Sequence, residues 1–386
     1  MNHAPQPLGG KLITPVTVTL AVLAGISLYY IGQRFLYGFN AAAAFNDGYT
    51  WGIWIAYDVV IGTAFGCGGY AMALLVYVFN KGEYHPLVRP ALLASLFGYC
   101  LGGASVIIDL GRYWNMWHLM WPGYAQPNSV MFEVGLCVTA YCMVLIIEFS
   151  PAVLERLGWG GLRRRLEKIM IVVIALGILL PTMHQSSLGT LMVIFGHQVH
   201  PLWQTTLLPL LFLVSAVTMG FCIVIFEASL ASAGFRRPGE APLLGKMAGV
   251  IIVLLLTYLA LRLGDLALAG KLELIRASGW LSYFFAAEIV LFAVPVLLLL
   301  PARNRTRPQP LFLAAVCMLL GGALYRIDTF LVAYFPATPG FRYFPSAPEI
   351  LVTVGIIAFE VLAYIVLARL LPVLPGLGTT RPAPAG

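Results

Sequence analysis

Long apolar runs recur along this chain from end to end, interrupted by short polar segments. A run of about 20 apolar residues suffices to cross a ~30 Å hydrocarbon core as a helix. The pattern predicts ten spans, at 12–39, 50–80, 86–112, 128–149, 168–193, 203–231, 243–268, 279–300, 309–335 and 348–371. Turn residues separate them: Asn46-Asp47-Gly48, Lys81-Gly82-Glu83, Pro122-Gly123, Pro238-Gly239 and the stretch 336–340. The expected fold is all-α, a polytopic integral membrane protein of about ten helices. Its parts are an N-terminal segment at 1–11, a transmembrane domain at 12–371 and a disordered tail at 372–386. The first apolar run is too long for a signal-peptide core and is expected to stay as a helix.

One segment breaks the pattern. Leu180 to Thr190 reads L-P-T-M-H-Q-S-S-L-G-T inside an apolar run that begins after Lys168. At ~1.5 Å per residue, His184 lies about 24 Å into that helix, deep in the bilayer and toward the far side. Polar groups at such depth must face protein, water or a ligand. Gln185, Ser186 and Ser187 could be glue between helices, with His184 a satisfied core histidine. The functional alternative is a quinone-headgroup or proton-handling site, opening into a cavity under the outer headgroups.

Sixteen of the 23 Lys and Arg fall at one end of the spans, among them Lys81, Arg163, Arg164, Arg165, Lys168, Arg236, Arg237, Arg303, Arg305 and Arg307. Basic residues accumulate on the cytoplasmic side, so that end and both termini are expected to be cytoplasmic. Tyr49, Trp51 and Trp54 would then open the second span at the outer face, and Trp114, Trp117 and Trp121 would follow the third. They read as an interfacial aromatic belt or as a docking surface for an outer partner. Leu101-Gly102-Gly103-Ala104 precedes Asp109 as Leu320-Gly321-Gly322-Ala323 precedes Asp328, a weak parallel echo of spans 2–3 in spans 8–9.

Ionisable residues inside spans are functional candidates. Asp58, Asp109, Arg112, Glu133, His184 and Gln185 fall in the outer third of the first half. Arg262, Asp265, Arg326 and Asp328 lie in the outer part of the second half, with Glu288 and Glu360 nearer the middle. Glu148 and Glu227 sit near the cytoplasmic ends of spans 4 and 6. Asp109 with Arg112, and Arg262 with Asp265, are spaced to pair on one helix face. Arg326 and Asp328 face apart, so each needs a partner from another helix. The outer cluster around His184 would bind a quinone. The acids Asp58, Glu133, Glu148, Glu227, Asp265, Glu288, Asp328 and Glu360, with Arg326, would form a proton pathway. A carboxyl in apolar surroundings can exchange protons near neutral pH.

Composition narrows the class. The chain is 60% hydrophobic and 10% charged, which excludes a soluble domain of 386 residues. Its net charge of +7 is a topology signal and implies no nucleic-acid partner. None of the six cysteines forms C-x-x-C, so neither an iron–sulfur cluster nor a zinc site is expected. The histidines are His3, His85, His118, His184, His197 and His200, and only His184 is deep. Two bis-histidine haems are therefore excluded, while one haem between His118 and His184 stays open. With no redox centre of its own, the chain must take electrons from a partner.

The 180–190 block, the stretch L-G-G-A-S-V-I-I-D-L-G-R-Y-W from Leu101 to Trp114, and Tyr343 to Ile350 (Y-F-P-S-A-P-E-I) resemble the NrfD/PsrC family. The likeness runs over nearly the whole chain and is nearest to the ten-helix HybB-type branch. It implies a haem-free membrane subunit of the bacterial inner membrane that interacts with menaquinone or ubiquinone. It also implies a ferredoxin-like iron–sulfur subunit at the outer face, and nickel–iron hydrogenase large and small subunits beyond it. Polysulfide or nitrite reduction is the alternative setting. The quinone would be held near the outer face by His184, Gln185, Ser186, Asp109, Arg112, Trp114 and His118. Two rival readings are a secondary transporter, favoured by unwound half-helices in both copies of the echo, and a purely structural anchor.

Overall fold

The computed structural model describes residues 5–338 and 340–375. Among these, ten helices are long and apolar enough to cross a bilayer. They are α1 (Pro15–Tyr37), α2 (Trp54–Val78), α3 (Gly82–Asp109), α4 (Val130–Leu157), α5 (Met170–Ile194), α6 (Leu208–Gly234), α7 (Ala241–Leu268), α8 (Trp280–Leu299), α9 (Pro308–Val332) and α10 (Ala347–Leu370). Capping boxes start the first and the last: Thr14 accepts from the N–H of Thr17, and Ser346 from that of Glu349.

α4 ends at Leu157 rather than at 149. Ser150-Pro151 suggests a stop, but the helix passes through it. Pro151 cannot donate to the Ile147 carbonyl, and the Ser150 hydroxyl donates there instead at 2.8 Å.

Helices α2 to α5 form one four-helix bundle and α6 to α9 a second, with chain neighbours packed antiparallel. α6 joins the bundles by packing on α2 and α5, while α1 and α10 pair with each other and lean on α3. Burial follows this plan: 83% of the α2 span window and 72% of the α6 window are buried, against 17% for α1 and 22% for α10. The inner crossing is tight. A Cβ built on Gly220 of α6 would lie 2.5 Å from the Cys67 carbonyl oxygen of α2. Gly220→Ala should therefore cost about 1–3 kcal/mol by forcing the bundles apart. A lowered Tm of the purified protein in detergent would register this; an unchanged Tm would show the junction to be compliant.

The Gly-Gly pairs of α3 and α9 are also close-approach sites. Gly102 meets the Asp58 carbonyl and Thr63 of α2, Gly321 meets Leu291 and Phe292 of α8, and Gly322 meets Met219 of α6. Yet α3 is the second helix of its bundle and α9 the fourth. The echo is thus a shared packing device, not the relation between the bundles.

The segments just before α1 and just after α10 meet at one face, as an even number of crossings requires. The Leu8 N–H donates to the Ala368 carbonyl at 3.3 Å and the Gln6 N–H to that of Leu374 at 3.1 Å. Arg89 bonds Glu155 at 2.8 Å and the Pro372 carbonyl at 2.9 Å on this same basic face. Val373 and Leu374 are buried, so the start of the expected tail is packed. Residues 376–386 of that tail, and His3, lie outside the described residues.

The aromatic expectation divides. Trp114, Trp117 and Trp121 are exposed on and beside a 3-10 segment, Tyr113–Met120. Trp51 and Trp54 are not belt residues. Both are buried, and their indole N–H groups donate to the Phe330 and Glu349 carbonyls at 2.8 and 3.2 Å. An indole so satisfied can sit inside a bundle.

Candidate functional site

α2 is wound irregularly. Trp54–Val59 and Leu74–Val78 are π-helical, with short α segments at Gly62–Phe65 and Gly68–Ala73 between them. α9 closes on a third π segment, Asp328–Val332. Such windings are rare and gather at functional sites.

Beside the irregular part of α2 lies a buried polar core. His184 and Gln185 of α5 have no exposed surface. The His184 Nε2 and the Gln185 amide nitrogen each lie 3.1 Å from the Thr63 hydroxyl. Thr63 in turn donates to the Val59 carbonyl at 2.6 Å. The Gln185 carbonyl oxygen accepts from Arg326 of α9 at 3.2 Å. Arg326 is wholly buried and makes no ion pair among the described residues. Its donors go to neutral acceptors: the Val60, Gly322 and Phe212 carbonyls, the Ser215 hydroxyl and the Met219 sulfur, at 3.1–3.3 Å. Tyr99 packs edge-on to His184, 5.7 Å between ring centres. One turn further on, the Ser187 hydroxyl donates to Glu133 of α4 at 2.8 Å.

Outward from Thr63 the polar column continues. Asp58 is buried and accepts from Ser105 at 3.2 Å and Thr353 at 3.3 Å. Asp109 stands at the end of α3 away from the basic face, and its Oδ1 is buried with no hydrogen-bond partner among the described residues. Nearby, Arg34 donates to the Ile108 and Leu110 carbonyls at 3.0 and 2.6 Å and lies 3.7 Å over the Phe39 ring. Glu349 is fully buried, held by the Ala44 and Ser346 amides at 2.9 and 2.7 Å and by the Tyr343 hydroxyl at 2.6 Å. Burial and then the Glu349 carboxylate push the Tyr343 phenol well above its usual range.

A second polar centre lies in the other bundle. Arg262 and Glu288 pair at 3.4 Å, with side chains 1% and 0% exposed. Glu288 also accepts from Trp203 at 2.8 Å and Tyr258 at 3.1 Å, and Arg262 donates to the Leu202 carbonyl at 2.9 Å. Both Asp328 oxygens and the Tyr325 hydroxyl are buried without partners among the described residues.

Two expected local pairs do not form. Arg262 turns to Glu288, not to Asp265, which is half-buried and makes no ion pair among the described residues. Glu288 wins because its other lone pairs are also satisfied. Asp109 does not pair with Arg112, because α3 stops at Asp109 and the extended Leu110 destroys the helical spacing. Arg112 is exposed.

The remaining candidates are scattered. Trp114 is exposed, and His118 is stacked on Tyr124 at 4.0 Å. Ser186 bonds back to the Met183 carbonyl at 2.9 Å. Toward the basic face, Glu148 packs on Gly177, and Glu227 lines a cavity with Arg237, Glu240 and Tyr364. Burial raises the Glu240 carboxyl above its usual range, with Arg237 opposing. Glu360 is half-buried. Sequence reasoning missed Thr63, Tyr99, Arg34 and Glu349 as members of the core. The Ser346-x-x-Glu349 spacing is visible as a capping box, which hides Glu349 as a simple helix start.

The described histidines are spread over separate parts of the fold. His85 begins the helical part of α3, and His197 and His200 lie in the connection from α5 to α6. His118 stacks on Tyr124 in an exposed segment, while His184 is fully buried with its Nε2 on Thr63. Among the described residues no group of three or more His, Cys, Asp or Glu is placed to hold a metal ion.

Fold and core together define a ten-helix membrane protein with charged groups buried in both bundles and a buried amide, Gln185, in the first. A family model described as "Polysulphide reductase, NrfD" matches residues 42–335, and the chain belongs to the NrfD family. It is 50% identical over 380 residues to the "Probable Ni/Fe-hydrogenase 2 b-type cytochrome subunit" of Escherichia coli (strain K12), covering 98% of this chain and 97% of that one. It is 26% identical over 382 residues to the "Menaquinone reductase, integral membrane subunit" of Nitratidesulfovibrio vulgaris, covering 90% and 88%. Against the "Protein NrfD" of Escherichia coli it is 27% identical over 265 residues, covering 63% and 81%.

Proposed function

We propose that the chain is the quinone-reacting membrane subunit of a respiratory hydrogenase-type complex in the bacterial inner membrane. It passes electrons between an outer ferredoxin-like iron–sulfur subunit and menaquinone or ubiquinone. Nickel–iron hydrogenase large and small subunits complete the complex. The names of the relatives support this setting. The observation that carries the reading is the Asp109 Oδ1, buried without a partner among the described residues, at the outer end of a buried polar column reaching His184.

A bound quinone supplies two-electron redox chemistry with proton uptake at its carbonyl oxygens. The residues suit such a ring at the outer end of the column. Asp109 has an uncommitted oxygen, which can donate to a carbonyl when protonated. Exposed Arg112 and Trp114 follow it in the chain, with His118 half-buried beyond. His184 and Gln185 are sealed and their donors committed, so in this conformation they serve the inner end of the column, not the headgroup directly. Asp58, between Ser105 and Thr353, stands on the line joining the two ends and holds a proton in transit. Glu133, Glu148, Glu227 and Glu360, with Glu288, Asp328, Asp265 and Arg326 in the second bundle, remain the candidates for a path across the membrane. The transporter reading gains nothing, since α2 and α9 run on through their π segments without an unwound half.

In the complex purified with its partners, Asp109→Asn should lower quinone-linked hydrogen oxidation by about 10²–10⁴-fold. His184→Ala should also abolish it. Partner retention and dye-linked hydrogen oxidation should stay unchanged in both. Quinone-linked rates that survive both substitutions would refute the reading and leave a structural anchor.

A further inference from the structure

The donors and acceptors around Thr63 have only one consistent arrangement. Arg326 carries N–H donors and no acceptor. Its contact at 3.2 Å therefore fixes the Gln185 carbonyl toward α9 and turns the Gln185 amide nitrogen toward Thr63. A threonine hydroxyl has one hydrogen and two lone pairs. That hydrogen goes to the Val59 carbonyl at 2.6 Å, the shortest bond in the group. Both lone pairs are then left to accept. One takes the Gln185 amide, and the other must take an N–H from His184 Nε2, each at 3.1 Å.

A neutral imidazole carries one N–H. With that hydrogen on Nε2, the Nδ1 of His184 is a bare acceptor. It is buried and has no hydrogen-bond partner among the described residues. A buried acceptor of this kind calls for a donor.

From this we infer that Thr63, oriented through Gln185 by Arg326, is a positioning residue that holds His184 as its Nε2–H tautomer and reserves Nδ1 to accept a hydrogen bond from a hydroxyl. The donor is a water molecule held inside the column; a quinone headgroup, placed at the column's outer end, does not reach this fully buried nitrogen. The inference rests on the proposed role of the column, and it gives the column a direction: His184 receives at its inner end and does not donate outward.

The test reads the imidazole nitrogens directly, apart from turnover. The complex is prepared with 15N-labelled histidine in lipid nanodiscs, and the His184 signals are assigned by their loss in His184→Gln. Nitrogen NMR should show a protonated Nε2 and a lone-pair Nδ1 in the natural protein. Thr63→Ser, which keeps the hydroxyl, should preserve that pattern. Thr63→Val should lose it, shifting the proton to Nδ1 or mixing the tautomers. Titration with a short-chain quinol checks the source: an Nδ1 signal that holds still assigns the donor to water, and one that moves would overturn that assignment. A protonated Nδ1 in the natural protein would overturn the inference, and so would a Thr63→Val pattern identical to the natural one. Either can occur while quinone-linked activity persists, so failure here is distinct from failure of the proposed function.

Discussion

Replacing Glu288 by alanine is expected to destabilise the second bundle by about 3–5 kcal/mol, the cost of stripping a buried ion of its partner. The Arg262 guanidinium would remain, 1% exposed, without the carboxylate it pairs with. The indole N–H of Trp203 and the hydroxyl of Tyr258 would lose their acceptor in the same change. Each orphaned donor adds to the loss, because a buried donor left without an acceptor keeps its desolvation cost. The stacked Phe285 ring, 5.1 Å from the guanidinium, softens the loss but carries no full charge. Thermal unfolding in detergent, read with the yield of monodisperse protein, is the measurement. The double replacement Arg262→Met with Glu288→Leu should recover much of the stability, since no charge is then buried alone. A single variant as stable as the natural protein would mean that water reaches Arg262.

The second large effect concerns Arg326. Arg326→Lys keeps the charge but loses the planar fork that reaches six acceptors from four helices, its own included. One ammonium cannot hold the Gln185 carbonyl while also serving Val60, Phe212 and Ser215. Gln185 is then free to turn, and the arrangement around Thr63 and His184 loses its fixed polarity. Quinone-linked turnover of the complex should fall roughly 10²-fold, as expected when a reacting group is misplaced by about 1 Å. Partner binding should persist, because Arg326 is deep in the junction of the bundles and makes no surface contact. Turnover within a factor of two of the natural complex would show that the charge alone matters and the fork does not.

Much of this was written locally. Glycine and proline punctuation located the connections, and the misjudged end of α4 came from one proline whose freed carbonyl a neighbouring serine satisfies. His184, Gln185, Asp58, Asp109, Glu133 and Arg326 stood out because polar groups inside apolar runs are costly wherever they point. Thr63 gave no such signal. A threonine bonded to its own helix is unremarkable in a membrane span, and only the approach of α5 reveals its second role. The pairs inferred from spacing failed for the same reason. Arg262 with Asp265 looked sound along one helix, yet the inward face of α7 meets Glu288 across the bundle.

By itself the sequence determined the ten crossings, the face that gathers the basic residues, the family, and the list of polar groups that must be buried. Those properties are sums over neighbours in the chain, and hydropathy is additive along it. Only the tertiary structure decided who meets whom: Thr63 with His184 and Gln185, Arg326 with neutral acceptors, Trp51 and Trp54 inward. Which faces of two helices touch depends on close crossings such as Gly220 on Cys67 and on π winding in α2. Neither leaves a periodic trace in the chain.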